Sequence, residues 1–144
     1  MNPPLKFQKE FPVQWADLDP NYHVRHTVYS HYASETRIAF FLRAQLMPDF
    51  LKAQNIGPLL FREDIRYHNE ATLGETLIVN CLVTAITENA SKINISNEIV
   101  LKSSGKTAAL IKSTTLWFDL TTRKLVKPPP EVAAAFSELQ QDES

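Results

Sequence analysis

The feature that most constrains this chain is a stretch that reads as a helix apolar on almost every side. From about His26 to Leu42 there is neither glycine nor proline. Within it, Tyr29, Tyr32, Ala33, Thr36 and Phe40 fall at i, i+3, i+4, i+7 and i+11 and form one less polar stripe. The run Ile38-Ala39-Phe40-Phe41-Leu42 then turns apolar nearly all round. A helix of that kind belongs inside a core, so the rest of the chain must supply the walls. Pro48 marks the approximate end of this helix and the segment after it.

The walls read as strands. Phe7, Phe11, Val13 and Trp15 share one parity in a first strand that Pro12 interrupts or delays. Asp17-Leu18-Asp19-Pro20-Asn21 is dense in turn formers and reads as a loop. After the helix, Gly57-Pro58 punctuates the chain before a strand at Ile65-Arg66-Tyr67, and Leu73-Gly74-Glu75 breaks it again. Leu77, Val79, Cys81, Val83 and Ala85 share one face of the next run. Ile93, Ile95, Asn97, Ile99 and Leu101 alternate with polar residues, the mark of a half-buried strand. Glu88-Asn89-Ala90 and Ser103-Ser104-Gly105 serve as turns, the second leading into Thr107 to Leu120, where Leu110, Leu116, Phe118 and Leu120 share parity. Pro128-Pro129-Pro130 stops the sheet, and Glu131 to Leu139 reads as a short helix before a polar tail to Ser144. Hairpin connections make the strands antiparallel. The expected class is α+β: a long central helix wrapped by a curved antiparallel sheet of about five strands. We expect one domain over residues 1–144, with a core at about 5–126 and a tail or short helix over 128–144.

Composition narrows the function classes. With 144 residues the chain can bury a sizeable core without staples. A formal net charge of -1 gives no whole-protein reason to expect nucleic acid or an anionic membrane as a partner. The N-terminus has no signal-like apolar stretch, and no segment approaches the ~20 apolar residues of a membrane helix. A cytoplasmic setting is expected. The one cysteine, Cys81, lies in an apolar run and reads as a buried, inert thiol.

The segment from Trp15 to Tyr29 carries a more specific signal. Asp17-Leu18-Asp19 gives an Asp-x-Asp loop, His23-Val24 follows, and Tyr29 is an aromatic in the first turn of the helix. In these residues the chain resembles the 4-hydroxybenzoyl-CoA thioesterase family of hotdog-fold enzymes. Glu35 and Arg37 resemble the acidic and basic residues further along that family's helix, and Tyr67 and Leu73-Gly74-Glu75-Thr76-Leu77 extend the likeness. Two positions depart from the pattern. Tyr22 stands where a glycine is usual, and Arg25-His26 where the pair is often Asn-Asn.

The resemblance implies hydrolysis of an acyl-CoA thioester to a carboxylic acid and coenzyme A. Asp19 would be the catalytic carboxylate, as a nucleophile forming a mixed anhydride or as a general base on water. A thioester carbonyl gains negative charge on attack, and the first amides of a helix have no intrahelical acceptor. If the helix begins near His26, the amides of His26 and Thr27 point at that charge. The His26 imidazole would orient water or protonate the thiolate, and Tyr22, His23, Thr27, Tyr29 and Glu35 would contact substrate. Asp17 reads as a turn or cap residue, and His31 and His68 as structural. The spacing of Asp17, Asp19, His23 and His26 matches no strong zinc pattern, so no metal is expected. Coenzyme A enters as part of the substrate, and no retained cofactor is implied. A homodimer or homotetramer with the pocket between subunits is expected. The competing readings are a non-catalytic acyl-thioester binding module and a hotdog enoyl-thioester hydratase.

Overall fold

The computed structural model describes residues 7–140. Its strands are β1 (Gln8–Pro12), β2 (Ile56–Tyr67), β3 (Thr76–Asn80), β4 (Leu82–Ile86), β5 (Lys92–Leu101) and β6 (Thr107–Asp119). Its helices are α1 (His26–Arg43), α2 (Asp49–Ala53) and α3 (Pro130–Ser137). The strands form one antiparallel sheet in the order β1-β3-β5-β6-β2, with β4 pairing β5 beside that path. Helix α1 packs on one face of it, so the α+β hotdog arrangement holds. No helix among the described residues is long and apolar enough to cross a membrane.

The stripe read from the sequence is the stripe that packs: Tyr29, Tyr32, Ala33, Thr36 and Phe40 are all buried. Burying each large apolar side chain of this kind stabilises the fold by roughly 1.5–3 kcal/mol. The core falls into two clusters. Tyr29, Tyr32 and Ala33 pack with Leu77, Val79, Ile99 and Ile111. Phe40 and Phe41 pack with Ile93, Ile95, Trp117 and Phe136. Between them runs a polar seam: Arg37 Nη1 donates to Asn97 Oδ1 at 2.9 Å, and Asn97 Nδ2 donates to the Asn80 carbonyl at 2.8 Å. Arg37 Nη2 also stands 3.9 Å from Glu63 Oε2, whose other oxygen accepts from the Ser30 hydroxyl at 2.7 Å. Ile38 and Leu42, however, are 43% and 51% exposed, so the helix is not enclosed on every side by its own chain.

Several expectations require correction. The first strand stops at Pro12 rather than reaching Trp15, and Trp15–Asp17 is a single 3₁₀ turn. Gly57-Pro58 does not precede β2 but lies inside it. That is allowed because β2 is an edge strand, where a proline without an N–H costs no ladder bond on the open side. Gly57 pairs with Phe118, and a Cβ there would stand 3.0 Å from both the Phe118 ring and Leu120. The expected single run from Leu77 to Ala85 is two strands, broken at Cys81, which raises the strand count to six. A bulge between Val83 and Ala85 then swings Ala85 outward and leaves it exposed. In β6 the buried face is Ala109, Ile111, Ser113, Thr115 and Trp117, and the Leu110-Leu116-Phe118 set lies on the opposite, half-buried face. Alternation in that strand identifies the two faces, but apolar content alone picks the wrong one as inner. Helix α3 buries Val132 and Phe136 in the second cluster.

Candidate active site

The loop before α1 is built around Asp19. Its Oδ1 accepts from the Asn21 amide at 2.9 Å and the His23 amide at 3.1 Å. Its own amide donates to the His23 carbonyl at 2.8 Å, and the Tyr22 amide returns to the Asp19 carbonyl at 2.9 Å. The carboxylate therefore closes a tight turn, a common use of aspartate, while remaining half-buried at the rim of a hollow. This turn needs one residue in the left-handed region, and Tyr22 takes it with φ 64°. The position where relatives are expected to carry glycine is thus one where the backbone favours glycine.

Asp17 has a different task. Its Oδ2 accepts from the Gln14 amide at 2.8 Å and from the Tyr32 hydroxyl, and its carbonyl accepts from the Arg25 amide at 2.8 Å. It ties the loop to the buried face of α1. Burial and the Asp17 carboxylate together push the Tyr32 phenol well above its ordinary pKa.

Helix α1 begins at His26 with Arg25 in extended backbone as the cap residue and no side-chain cap bond. The opening amides therefore have no capping side chain to take them. A hollow of about 370 Å³ lies beside this end, lined by Asp19, Asn21, His23, Val24, His26, Tyr29, Tyr67, His68, Asn69 and Glu70. That volume falls within the range of small-molecule sites. His23 Nε2 stands 3.2 Å from Glu70 Oε2 across it. Tyr29 is buried in its wall, with its ring edge-on to Tyr67 at 5.8 Å, and the Tyr67 hydroxyl donates to the His26 carbonyl at 3.4 Å. Burial raises the Tyr29 pKa most. A hydrogen bond with the Ala71 backbone opposes this, and the charges of Glu70, Tyr67 and Asp19 add to the rise.

Of the residues singled out from sequence, Asp19, His23, His26 and Tyr29 come together in this hollow. Tyr22, Thr27 and Glu35 are not among its lining residues. Tyr22 is 64% exposed and tilts against Trp15, with ring centroids 6.1 Å apart. Thr27 is exposed in the first turn of the helix. Glu35 lies over two turns along α1, with its Oε1 3.8 Å from His31 Nε2.

Of the opposite wall, Tyr67 through Glu70, sequence reasoning picks out only Tyr67, as part of the family likeness; it treats His68 as structural and passes over Asn69 and Glu70. The loop after β2 brings this wall to the site by folding back to pair with the Asp19 loop: His23 bridges Thr72, and the Val24 amide donates to the Ala71 carbonyl at 2.8 Å. The signal in the chain is the run Tyr67-His68-Asn69-Glu70, four consecutive polar-tipped residues that begin at the last residue of β2. Among the described residues no group of three or more His, Cys, Asp or Glu is placed to hold a metal ion.

Comparison with known proteins bears on this arrangement. The thioesterase-like superfamily model matches residues 13–136. No curated protein sequence matches the chain. Among solved structures, Slr0204, a 1,4-dihydroxy-2-naphthoyl-CoA thioesterase from Synechocystis, superposes with a TM-score of 0.82 at 20% identity, covering 92% of this chain and 96% of its own. SAV2348 from Staphylococcus aureus, solved in complex with CoA, gives 0.87 at 15% identity over 100% and 92% of the two chains. A thioesterase from Thermus thermophilus, complexed with coenzyme A and Zn, gives 0.76 at 20% identity over 92% and 98%. At these identities the structures establish a shared fold. The superfamily match runs from the end of the first strand to the last helix, and the chain belongs to the thioesterase-like superfamily.

Proposed function

We propose that this protein is an acyl-CoA thioesterase, hydrolysing a thioester to a free carboxylic acid and coenzyme A at the Asp19 hollow. The observation that carries the reading is a half-buried carboxylate held by two backbone amides beside the uncapped start of α1. With Oδ1 committed to the turn, Oδ2 is the oxygen we assign to the reaction. As a general base it takes a proton from water as the water oxygen attacks the carbonyl carbon; as a nucleophile it forms a mixed anhydride that water then cleaves. In either case the C–S bond breaks and the departing thiolate takes up a proton.

The amides near His26 polarise the carbonyl, and one preorganised donor of this type is typically worth about 3 kcal/mol in the transition state. The His26 imidazole, exposed on the same hollow, orients water or protonates the thiolate. His23 and Tyr29 contact the substrate. Tyr22, Thr27 and Glu35 remain proposed contacts, made where the substrate extends beyond the hollow.

The assembly we propose is a homodimer or homotetramer whose second subunit closes the hollow. Its support is the open edge of β2 with Leu59, Leu60 and Phe61 exposed, together with the uncovered Ile38 and Leu42 of α1. A cytoplasmic setting is consistent with Cys81 as a free thiol. The 4-hydroxybenzoyl-CoA branch of the superfamily is our proposal for the nearest chemistry, and the aromatic wall of Tyr29 and Tyr67 suits an aromatic acyl group.

Thiol release from a panel of short, long, branched and aromatic acyl-CoAs tests the reading. Hydrolysis of at least one supports it. Silence across the panel, with enoyl-CoA hydration or bare acyl-CoA binding in its place, would reject it.

A further inference from the structure

The outer face of the sheet carries a second hollow, of about 270 Å³, that the hydrolytic reading does not use. It is lined by Arg62, Asp64 and Arg66 of β2, Lys112 and Thr114 of β6, and Asn94 of β5, with Thr84 at its far rim. The alternation of β2 explains the grouping. Glu63 reaches Ser30 on the helix, Ile65 joins the core and Tyr67 meets Tyr29, so Arg62, Asp64 and Arg66 face the other way. Two bulges border the site, one between Leu60 and Arg62 and one between Val83 and Ala85. Bulges commonly re-aim side chains where a sheet forms a site.

The chemistry of the lining is one-sided. Three cations surround one carboxylate: Asp64 stands opposite Lys112 in the ladder and has Arg66 Nε 3.6 Å from its Oδ1. That leaves two positive charges in excess within a chain whose formal net charge is -1. The floor adds hydrogen-bonding groups. Thr114 Oγ1 donates to Asn94 Oδ1 at 3.0 Å, which fixes that amide and turns its Nδ2 donors elsewhere. Arginine forks with an amide donor match the oxygens of a phosphate group.

We propose that this hollow is a binding site for a phosphomonoester or pyrophosphate group, held by Arg62, Arg66 and Lys112 with Asn94 beneath. Such a group could come from the nucleotide end of coenzyme A or from a separate phosphate ligand. The site itself does not depend on the hydrolytic reading.

Calorimetric titration with inorganic pyrophosphate, adenosine 3′,5′-bisphosphate and coenzyme A tests it, using the parent and an Arg62→Ala/Lys112→Ala variant. The parent should bind pyrophosphate or the bisphosphate, more weakly as salt rises. The variant should bind about tenfold more weakly or worse, as expected for losing charged hydrogen bonds. An Arg62→Lys/Lys112→Arg variant, which keeps the charge, should retain most of the affinity and controls for folding. A parallel loss of coenzyme A affinity would assign the site to the substrate; unchanged coenzyme A affinity would assign it to a separate ligand. No binding by the parent, or equal binding by parent and alanine variant, would overturn the proposal. So would chemical cross-linking that joins Lys112 to a second copy of the chain, because this face would then be an interface. Hydrolysis of a phosphate-free acyl thioester should be the same in parent and variants, which separates failure here from failure of the proposed activity.

Discussion

Replacing Asn97 by leucine probes the polar seam that joins the two halves of the core. Asn97 is fully buried on β5, between Ile95 and Ile99 on the same face, so strand pattern does not oppose leucine there. The substitution removes the bond from Arg37 Nη1 at 2.9 Å and the bond to the Asn80 carbonyl at 2.8 Å. Arg37, 9% exposed, would keep Glu63 at 3.9 Å as its ion partner. Burial already lowers the Arg37 pKa, and the Glu63 charge opposes that. Losing a hydrogen bond from a charged donor costs about 1.5–3 kcal/mol, and a stranded carbonyl about 1–3 kcal/mol. Added apolar burial returns roughly 1–2 kcal/mol. The expected net loss therefore spans about 0.5–5 kcal/mol and centres near ~3 kcal/mol. Adding Arg37→Met removes the cation that has lost its hydrogen-bond acceptor, so the double variant should lose at least ~1 kcal/mol less than the sum of the singles. Urea unfolding of all four proteins at one fixed concentration gives the cycle, since association would otherwise shift the midpoints. Additivity within about 0.5 kcal/mol would refute the seam as a coupled unit.

Tyr22→Gly should leave the Asp19 turn intact and change stability by less than about 1 kcal/mol. Relief of the left-handed backbone offsets the loss of the Trp15 contact and the greater freedom of glycine when unfolded; a loss above ~2 kcal/mol would show that the aromatic contact dominates. Tyr32 has a raised pKa when folded, so its contribution is fully present below the unfolded tyrosine value near ~10. It falls as pH climbs above that, because the unfolded chain gives up its proton first. Tyr32→Phe should therefore flatten the alkaline limb of a stability–pH curve, and an unchanged limb would count against the Asp17–Tyr32 tie. Burial pushes the Cys81 thiol up to about 12, so it should resist alkylation at neutral pH until the protein unfolds. Rapid labelling of the folded protein would contradict its placement in the core.

Much of this architecture is legible in the chain because one-sided burial leaves a period. The α1 stripe and the inward set of β5 follow directly from spacing, and both are buried. What escapes depends on tertiary context. Pro58 reads as a breaker until β2 is known to be an edge, and Leu110, Leu116 and Phe118 look like an inner face until Trp117 and Ile111 claim it. The Asp19 loop is visible through its aspartates and turn formers. The wall from His68 to Glu70 is not, because only the pairing of two loops distant in sequence brings it to His23. Glu35 is nominated by the resemblance along the helix; in the fold it stands beside His31 and does not line the hollow of its own chain.

The most direct test of the central claim is acyl-CoA hydrolysis by Asp19→Asn. The amide oxygen can still accept from the Asn21 and His23 amides, so the turn survives while the carboxylate is lost. The account predicts a fall in kcat of about 100-fold or more, with coenzyme A affinity and unfolding midpoint close to those of the parent. A variant that hydrolyses as fast as the parent would contradict it and move the chemistry away from Asp19.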